Sequence, residues 1–371
     1  MWQAEVAVDL DAIRANVDQL ARSTPAEVMA VVKADGYGHG AVESARAALA
    51  GGATWLGVCT LEEAAQLREA GLTAPILAWL WMPGQHLDTT IEQDVQLGVS
   101  SQAQLAAVVA AAKRTGLGVG THLKIDTGLS RGGATASDWL ALLDRAAKAQ
   151  ADGAVEVVGV WSHLANADEP THVSVDQQLE AFGEALAAAK RYGIEPRVRH
   201  LANSAALLTR PDTHFDLVRA GIAVYGLTPI EGVDFGLRRA MTARAKVIYA
   251  KRLPEGAGVS YGHTYVTRQP STVAVIPFGY ADGVPRHASG TGPVQINGVR
   301  YHIAGRVCMD QFVVDVGDAD VREGDEAILF GSGDGGEPTA DDWASAVGTI
   351  NYEIVTRIGS SRIPRTHHGD L

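Results

Sequence analysis

The feature that most constrains the fold is an alternation of short apolar runs with segments of helical periodicity over the first two thirds of the chain. Between two of the runs, apolar residues at 105, 108, 109 and 112 have the i, i+3, i+4, i+7 spacing of an amphipathic helix. Helices of this length can connect parallel strands. The eight apolar runs are residues 28–32, 55–58, 76–79, 95–99, 122–125, 157–161, 198–201 and 217–218.

Eight strand-and-helix units in about 200 residues are typical of a (β/α)8 barrel of the TIM type. An open doubly wound α/β sheet has the same alternation of strands and helices. Because a count of strands does not establish closure, the alternation by itself leaves both architectures open.

The last third of the chain has a different texture, with β-branched runs separated by Gly, Pro and Asp turns. We therefore predict two domains, a barrel over 1–237 and a mostly β domain over 238–371. One helix is predicted at 340–347, and residues 366–371 are expected to form a frayed polar tail. The predicted strands include 245–248, 272–277, 294–296, 311–316 and 327–330.

Charge and hydropathy exclude several classes of protein. The 31 basic and 43 acidic residues give a formal net charge of −12, which repels phosphate backbones and anionic lipid, so neither nucleic acid nor membrane is expected as a partner. No apolar run approaches the ~18 residues of a membrane helix. Residues 1–5 (MWQAE) lack the basic and apolar regions of a signal peptide, and a cytoplasmic location is expected.

Neither the cysteines nor the histidines have the spacing of a metal site. Cys59 and Cys308 are far apart, which supports neither a disulfide framework nor a cysteine-ligated zinc. HExxH is absent, and no metal is predicted. Residues 331–336 (GSGDGG) fit the letters of the dinucleotide fingerprint, but Pro338 follows and no βαβ unit surrounds them, so a glycine-rich turn is predicted.

In a β/α barrel the chemistry lies at the carboxyl ends of the strands. Lys33, Lys124 and His163 lie at or just after the ends of three of the runs. A lysine beside the glycine-rich segment 36–40 is suited to Schiff-base chemistry as an amine nucleophile. The structural alternative is a lysine that snorkels at the barrel rim.

A phosphate site is also indicated after the last two runs. Backbone amides near Gly221 and Ile222 follow the eighth run, and Ser204 follows the seventh. These positions match the place where many such barrels bind phosphate.

The segment 31–40 (VVKADGYGHG) resembles the cofactor-lysine signature of the alanine racemases, barrel enzymes that use pyridoxal phosphate. Other segments resemble family motifs in family order, and together they cover essentially the whole chain. They are 123–128 (LKIDTG) with Arg131, 162–164 (SHL), 200–204 (HLANS), 218–222 (VRAGI), 259–262 (VSYG), 279–283 (GYADG), 305–310 (GRVCMD) and 349–353 (TINYE).

The resemblance implies a pyridoxal-phosphate-dependent isomerase that interconverts L- and D-alanine and supplies D-alanine for cell-wall peptidoglycan. Racemisation needs proton transfer on both faces of the α-carbon, and the resemblance assigns Lys33 to one face and Tyr261 to the other. A phenol is a weak base, and His163 linked to Arg219 is the implied source of its polar environment. The structural alternative for Tyr261 is a buried tyrosine bonded to the backbone.

Arg219 is implied to face the pyridine nitrogen, where many pyridoxal enzymes have a carboxylate. A guanidinium does not give its proton to the ring, so the nitrogen stays neutral and the carbanion is less delocalised. The structural alternative is an arginine paired with a carboxylate at a strand end.

Arg131 is implied to orient the cofactor's phenolic oxygen and the substrate carboxylate. Met309 is implied to bind the same carboxylate through its backbone N–H. Lys124 is often carbamylated in the family, which turns the cation into an anion that holds Arg131. The alternative for Lys124 is an ordinary lysine paired with Asp126.

The other residues that the resemblance assigns to the cofactor offer hydroxyls, an amide or backbone donors. They are Tyr37, Asn203, Ser204, Gly221, Ile222 and Tyr352. Tyr280, Arg306 and Asp168 resemble residues of the active-site entrance.

Tyr261 and Met309 lie in the β domain and Lys33 in the barrel, and the resemblance implies that they meet across a homodimer with shared active sites. By sequence alone, a contact within one chain is the alternative. A racemase for serine or for larger amino acids is the nearest alternative. A basic amino-acid decarboxylase pairs the ring nitrogen with a carboxylate, which Arg219 contradicts. The β domain argues against a third class, a pyridoxal-phosphate carrier made of the barrel alone.

Overall fold

The computed structural model describes residues 2–369, which form two compact units. The unit that we call the β unit comprises Met1–Ala12, Tyr37–Gly40 and Arg238–Leu371 within those limits. The barrel unit comprises Ile13–Gly36 and Ala41–Leu237.

The elements of the two units follow in chain order. The strands are β1 (Ala4–Asp9), β2 (Glu27–Val31), β3 (Trp55–Val58), β4 (Ile76–Ala78), β5 (Val95–Val99), β6 (Val119–Lys124), β7 (Val155–Trp161), β8 (Val198–His200), β9 (Leu217–Ala220), β10 (Met241–Lys246), β11 (Tyr249–Leu253), β12 (Gly258–Val259), β13 (Tyr265–Val266), β14 (Ser271–Ile276), β15 (Pro293–Ile296), β16 (Val299–His302), β17 (Phe312–Gly317), β18 (Glu326–Phe330) and β19 (Arg365–His368). The helices are α1 (Leu10–Arg22), α2 (Lys33–Tyr37), α3 (Ala41–Ala50), α4 (Leu61–Glu69), α5 (Asp88–Glu92), α6 (Gln102–Thr115), α7 (Ala136–Ala151), α8 (Val173–Arg191), α9 (Ser204–Thr209), α10 (Ala340–Val347) and α11 (Asn351–Arg357).

The barrel unit is built on one parallel sheet of eight strands in the order β8-β7-β6-β5-β4-β3-β2-β9. Two backbone hydrogen bonds cross the seam between the outer strands, from the Asp216 amide to the Arg199 carbonyl (3.1 Å) and from the Arg219 amide to the Ala202 carbonyl (3.0 Å). The prediction of a (β/α)8 barrel is confirmed, and each of the eight apolar runs overlaps one of these strands. Parallel strands covered on both faces read as continuous apolar runs, which is why the sequence reveals them.

The β unit contains a six-stranded sheet in the order β16-β15-β18-β10-β1-β19, with smaller sheets formed by β11-β14-β17 and by β12-β13. Strand β1 pairs antiparallel with β10 and parallel with β19. The expectation of a frayed tail is therefore wrong for residues 366–368, because β19 hydrogen-bonds to a strand at the other end of the chain. Residues 370 and 371 lie outside the described residues.

The glycine-rich segment 331–336 is a turn that surrounds a carboxylate of the same chain. The Oε1 atom of Glu337 accepts hydrogen bonds from the Gly333 amide (2.8 Å) and the Ser332 hydroxyl (3.1 Å). Its Oε2 atom accepts one from the Gly335 amide (2.9 Å). The amide donors that a dinucleotide loop would offer to phosphate are thus occupied by Glu337.

None of the helices within residues 2–369 combines the length and the apolar composition that crossing a bilayer requires.

We predict that Glu337→Ala lowers the free energy of unfolding by about 2 kcal/mol, because a largely buried carboxylate that accepts three hydrogen bonds is removed. Urea denaturation measures the change. Asp334→Ala, at an exposed position of the same turn, is the control and should change stability by less than about 0.5 kcal/mol. Equal effects of the two substitutions would contradict this account of the turn.

Candidate active site

Arg219 is the next-to-last residue of β9. It is almost completely buried in the barrel unit, with 5% of its surface exposed. Its guanidinium donates hydrogen bonds to the carbonyl oxygens of Ser162 (2.8 Å), His200 (2.9 Å) and Leu201 (3.0 Å). Within residues 2–369 no carboxylate forms an ion pair with it, so the carboxylate-paired alternative is not what the structure contains. Desolvation lowers the pKa of Arg219 to about 9, which leaves the guanidinium charged at neutral pH.

Two imidazoles complete the surroundings of this guanidinium. Nη2 of Arg219 lies 3.2 Å from Nδ1 of His163, and Nη1 lies 3.1 Å from Nδ1 of His200. Nε2 of His200 lies 2.9 Å from Nδ1 of His122, whose Nε2 lies 2.8 Å from Oε1 of Gln96.

The direction of each hydrogen bond in this series of side chains follows from the guanidinium at one end, which can only donate, and from the amide oxygen at the other, which can only accept. Because a guanidinium only donates, Nδ1 of His163 and Nδ1 of His200 must both accept. His200 therefore carries its proton on Nε2 and donates to Nδ1 of His122, which in turn donates from Nε2 to the carbonyl oxygen of Gln96. All three imidazoles are neutral Nε2–H tautomers.

The electrostatics agree with these tautomers. Desolvation, reinforced by the charges of Arg197 and Arg219, lowers the pKa of His122 to about 3. Desolvation and the charge of Arg219 hold the pKa values of His163 and His200 well below their ordinary value. The three histidines are therefore neutral at pH 7.

Lys124, the last residue of β6, lies against the indole of Trp161, with Nζ 4.5 Å from the ring centroid. The guanidinium of Arg219 lies 5.0 Å from the same centroid. The ring of His200 stacks on the indole, with the ring centroids 5.4 Å apart and an angle of 4° between the ring planes. Desolvation, followed by the charges of Arg219 and Arg131, lowers the pKa of Lys124 to about 8. Its amine is thus partly uncharged near neutral pH.

The loop after β6 does not pair Lys124 with Asp126. Oδ1 of Asp126 instead accepts hydrogen bonds from the amides of Gly128 (2.9 Å) and Ser130 (3.1 Å). Arg131 follows as an exposed side chain, and neither it nor Lys124 forms an ion pair with another residue of the described chain. Lys124 and Arg131 are therefore two basic groups that no carboxylate of the described chain neutralises through an ion pair.

Lys33 begins α2, which is a left-handed turn rather than an ordinary helix. Ala34, Asp35 and Gly36 have φ angles of 51°, 52° and 62°, and Tyr37 follows with 54°. Left-handed backbone costs roughly 1–2 kcal/mol for each residue other than glycine. The charge of Lys33 contributes to the lowered pKa of His163, so the lysine belongs to the same cluster of groups.

The segment after β8 and the segment after β9 meet at the hydroxyl of Ser204, which is 4% exposed. Ser204 Oγ accepts hydrogen bonds from the amides of Gly221 (2.8 Å) and Ala223 (3.4 Å). The amide of the fully buried Ile222 donates to no acceptor among the described residues. Asn203 caps α9 by accepting from the Ala206 amide (3.1 Å).

Two of the predicted cofactor residues, Tyr37 and Tyr352, lie in the β unit. Their ring centroids are 6.3 Å apart with the planes tilted by 49°. Gly38 follows Tyr37 against α11, and a Cβ atom there would lie 2.3 Å from the carbonyl oxygen of Val355. The close approach explains the glycine at this position.

Three large exposed side chains of the β unit come from separate loops: Tyr261 (69% exposed), Met309 (54%) and Tyr280 (42%). The Ala281 amide, next to Tyr280, donates to the Met309 carbonyl (2.9 Å). The guanidinium of Arg306 lies against Gly262, next to Tyr261. The alternative of a buried Tyr261 is therefore not what the structure contains.

The structure thus brings Lys33, Lys124, His163 and Arg219 into one electrostatic cluster of the barrel unit. Asp168 lies exposed on the loop after β7.

Sequence reasoning missed several residues that hold this cluster. Gln178, on α8, donates to the His163 carbonyl (3.0 Å) and to Thr127 Oγ1 (3.1 Å). Gln96 and His122 lie inside strands, and no motif marks them. Glu63, whose carboxylate accepts a hydrogen bond from the Ala34 amide (2.7 Å), could have been recognised only as part of a T-x-x-E capping box.

Comparisons with known proteins agree along the whole chain. A profile described as "Alanine racemase, N-terminal domain" matches residues 8–229, and one described as "Alanine racemase, C-terminal domain" matches residues 240–367. The alanine racemase of Salinispora arenicola is 65% identical over 370 residues, covering 100% of both chains. That of Thermobifida fusca is 56% identical over 368 residues, covering 99% of this chain and 98% of the relative.

Solved structures give the same result. The alanine racemase of D-cycloserine-producing Streptomyces lavendulae superposes with a TM-score of 0.98 at 51% identity, covering 100% of this chain and 98% of that chain. The alanine racemase of Bacillus anthracis with bound L-Ala-P has a TM-score of 0.92 at 37% identity, with coverages of 100% and 96%.

We predict that stability falls as the pH is lowered from 7 to 5. The unfolded chain binds protons at histidine below about pH 6.5, whereas folded His122 binds one only near pH 3, so the unfolded state is favoured as pH falls through this window. The contribution of His122 alone approaches a slope of about 1.4 kcal/mol per pH unit as the pH falls below about 6.5. Denaturant unfolding at pH 7, 6 and 5 measures the slope.

The tautomers have a direct measurement in ¹⁵N NMR of histidine-labelled protein. His122 and His200 should give neutral Nε2–H signals that persist to pH 5. An Nδ1–H tautomer at either residue, or titration near pH 6.5, would contradict the hydrogen-bond directions.

Proposed function

The chain belongs to the alanine racemase family, and from this premise we propose that it racemises alanine with pyridoxal phosphate by a two-base mechanism. The observation that carries the proposal is the buried, charged Arg219, which has no carboxylate partner within the described chain and lies among neutral imidazoles. A carboxylate at this place would instead favour the chemistry of other pyridoxal enzymes.

The residues present fit this cofactor. Both Nη atoms of Arg219 are engaged, whereas its Nε–H has no acceptor among residues 2–369. That donor suits an unprotonated ring nitrogen. The buried Ile222 amide and the Ser204 hydroxyl suit phosphate oxygens, and we assign Gly221, Asn203, Tyr37 and Tyr352 to the same group in supporting roles.

When bound, pyridoxal phosphate supplies a conjugated system that delocalises the electron pair left on the α-carbon. In our proposal the amine of Lys33 would hold the cofactor until the amine of alanine displaces it. The freed Lys33 amine would then exchange the α-proton on one face of alanine and Tyr261 of the partner subunit on the opposite face, so that one residue removes a proton and the other delivers one. Since Nδ1 of His163 accepts from Arg219, its Nε2–H remains available to donate to the tyrosine oxygen.

Substrate binding is assigned to groups that suit a carboxylate. Arg131 is exposed and forms no ion pair in the described chain, and the Met309 amide donates to no acceptor there. Lys124 has a pKa lowered to about 8, and an uncharged amine is the form that can be carbamylated. We propose that carbamylated Lys124 holds Arg131 in position.

The shared site is the further part of this proposal. The exposed Tyr261, Tyr280 and Met309 would contribute to the site of a second copy, with Tyr280, Arg306 and Asp168 at its entrance. The division into a barrel domain (1–237) and a domain that supplies the second base (238–371) belongs to the same proposal.

We further propose that the D-alanine produced is used for peptidoglycan, and a cytoplasmic location stays a prediction. Serine is the nearest rival substrate. The L-Ala-P named with the Bacillus anthracis structure supports alanine, the smaller of the two substrates. Comparing turnover of alanine, serine and lysine by polarimetry distinguishes the alternatives, and faster turnover of serine would overturn the alanine assignment.

We predict that Lys33→Ala abolishes both racemisation of alanine and the visible absorbance of lysine-bound cofactor, because it removes the amine that anchors the cofactor. Absorbance spectra and polarimetry measure the two losses. Lys113→Ala, an exposed lysine on α6, is the control and should leave both at wild-type values. A Lys33→Ala protein that kept the band would show that another lysine carries the cofactor.

A mixed dimer tests the shared site. A Lys33→Ala chain paired with a Tyr261→Phe chain has one site with both residues intact and one with neither. Refolding the two variants together should give about half mixed dimers and recover about a quarter of the sites, by two-fold symmetry. No recovery in verified mixed dimers would refute the cross-chain arrangement and leave racemisation itself untouched.

A further inference from the structure

The carboxylate of Glu63 connects the start of α4 to the peptide group that follows Lys33. Its Oε1 atom accepts a hydrogen bond of 2.7 Å from the Ala34 amide. Its Oε2 atom accepts from the amides of Cys59 (2.7 Å) and Thr60 (3.1 Å). All three partners are backbone amides, and Glu63 forms no ion pair with the described residues.

An ordinary capping box explains part of this geometry. Thr60 is the N-cap of α4, its hydroxyl accepts from the Glu63 amide (3.2 Å), and Glu63 returns a bond to the Thr60 amide. The bond to Ala34 goes beyond the box, because it leaves α4 and reaches α2, the turn that follows the neighbouring strand β2.

The Ala34 amide belongs to a turn whose backbone conformation is unfavourable for its own residues. Ala34 and Asp35 are left-handed and are not glycines, and such residues keep this conformation only when their surroundings impose it. Within the turn itself, the Gly36 amide donates to the Val32 carbonyl (2.9 Å). The Glu63 carboxylate adds a restraint from outside the turn.

The residues on both sides of Lys33 are bonded to one corner of the barrel, where β3 leads into α4. The Val32 amide donates to the Gly57 carbonyl (2.9 Å), and the Ala34 amide donates to Glu63 (2.7 Å). Two fixed neighbours leave the Cα atom of Lys33 little freedom to shift relative to β3.

We propose that Glu63 is a positioning residue that aligns the Lys33 amine with the proton it transfers. This proposal rests on the role assigned to Lys33 above. The charge of the carboxylate matters because a charged acceptor makes stronger hydrogen bonds to backbone amides than a neutral one. Proton transfer depends steeply on the placement of the base, whereas capture of the alanine carboxylate by other groups does not.

The test compares four variants of the full-length holoenzyme. Glu63→Gln keeps the size of the side chain but turns an NH2 group toward one of its amide partners. Glu63→Asp keeps the charge, but its side chain is one methylene too short to bind the Ala34 amide and the Cys59 and Thr60 amides together. Thr60→Ala removes the helix cap and leaves the bond to Ala34, and Glu62→Gln changes an exposed neighbour of the same type.

Three quantities are measured: the thermal midpoint, the kcat and KM for alanine, and amide hydrogen exchange of the peptide covering residues 32–36. For Glu63→Gln and Glu63→Asp we expect kcat to fall about tenfold with KM within about twofold, and exchange in that peptide to accelerate about tenfold. For Thr60→Ala we expect a lower thermal midpoint with kcat and exchange within about twofold of wild type. Glu62→Gln should match wild type in all three.

The proposal is overturned if both Glu63 variants keep kcat and exchange within twofold of wild type. It is equally overturned if Thr60→Ala lowers kcat as much as they do, since loss of helix stability would then explain the effect. Failure of the wild type to turn over alanine would count against the proposed function instead. The exchange comparison would still decide whether Glu63 holds the turn.

Discussion

A buried guanidinium without a carboxylate partner is the constraint on which the rest of the barrel site depends. Burying a charge is costly unless hydrogen bonds compensate, and three carbonyl oxygens with two imidazoles do so for Arg219. Because the guanidinium can only donate, it dictates the tautomers of His163 and His200, and through His200 that of His122. Desolvation keeps these histidines neutral, and the charge of the arginine reinforces this effect, because protonating them would add cations beside a cation.

The same arrangement gives the site a positive field in an acidic protein. The charges of Arg219, Arg131, Lys124 and Lys33 all act on His163, although the chain as a whole carries a formal charge of −12. A local excess of positive charge attracts anionic ligands and orients them. Phosphate and carboxylate groups fit such a site, whereas the overall charge repels polyanions from the remaining surface.

How far the sequence predicts this structure depends on whether the determining contacts are local. The barrel strands and the basic residues after them were predictable, because any side chain that follows a parallel strand reaches the same edge of the sheet. Strands β1 and β19 pair across the length of the chain, and no local pattern encodes that pairing. Gln96 and His122 were equally hidden, since a polar residue inside a strand gains its role only when the barrel brings another strand beside it.

The glycines in the segment 31–40 are explained by the path of the backbone, not by chemistry at the site. Gly36 completes a left-handed turn against α3, where a Cβ atom would approach the Ala41 amide to 3.2 Å. Gly38 lies against α11 in the β unit, where a Cβ atom would be 2.3 Å from a carbonyl oxygen. The motif therefore specifies the backbone path after Lys33, and Glu63, outside the motif, adds one hydrogen bond to that path.

In the β unit, hydrogen bonds and ion pairs connect the exposed loops that carry Tyr280 and Met309. The Tyr280 amide donates to the Cys308 carbonyl (3.0 Å), and Arg362 bridges the buried Asp282 (2.9 Å) and Asp310 (2.5 Å). Large side chains held on braced loops and left in solvent are typical of a binding surface, since ordering them in advance lowers the cost of association. A second copy of the chain is the partner in the shared site that we propose above. These contacts are an argument for the proposed shared site that is independent of the exposure of Tyr261.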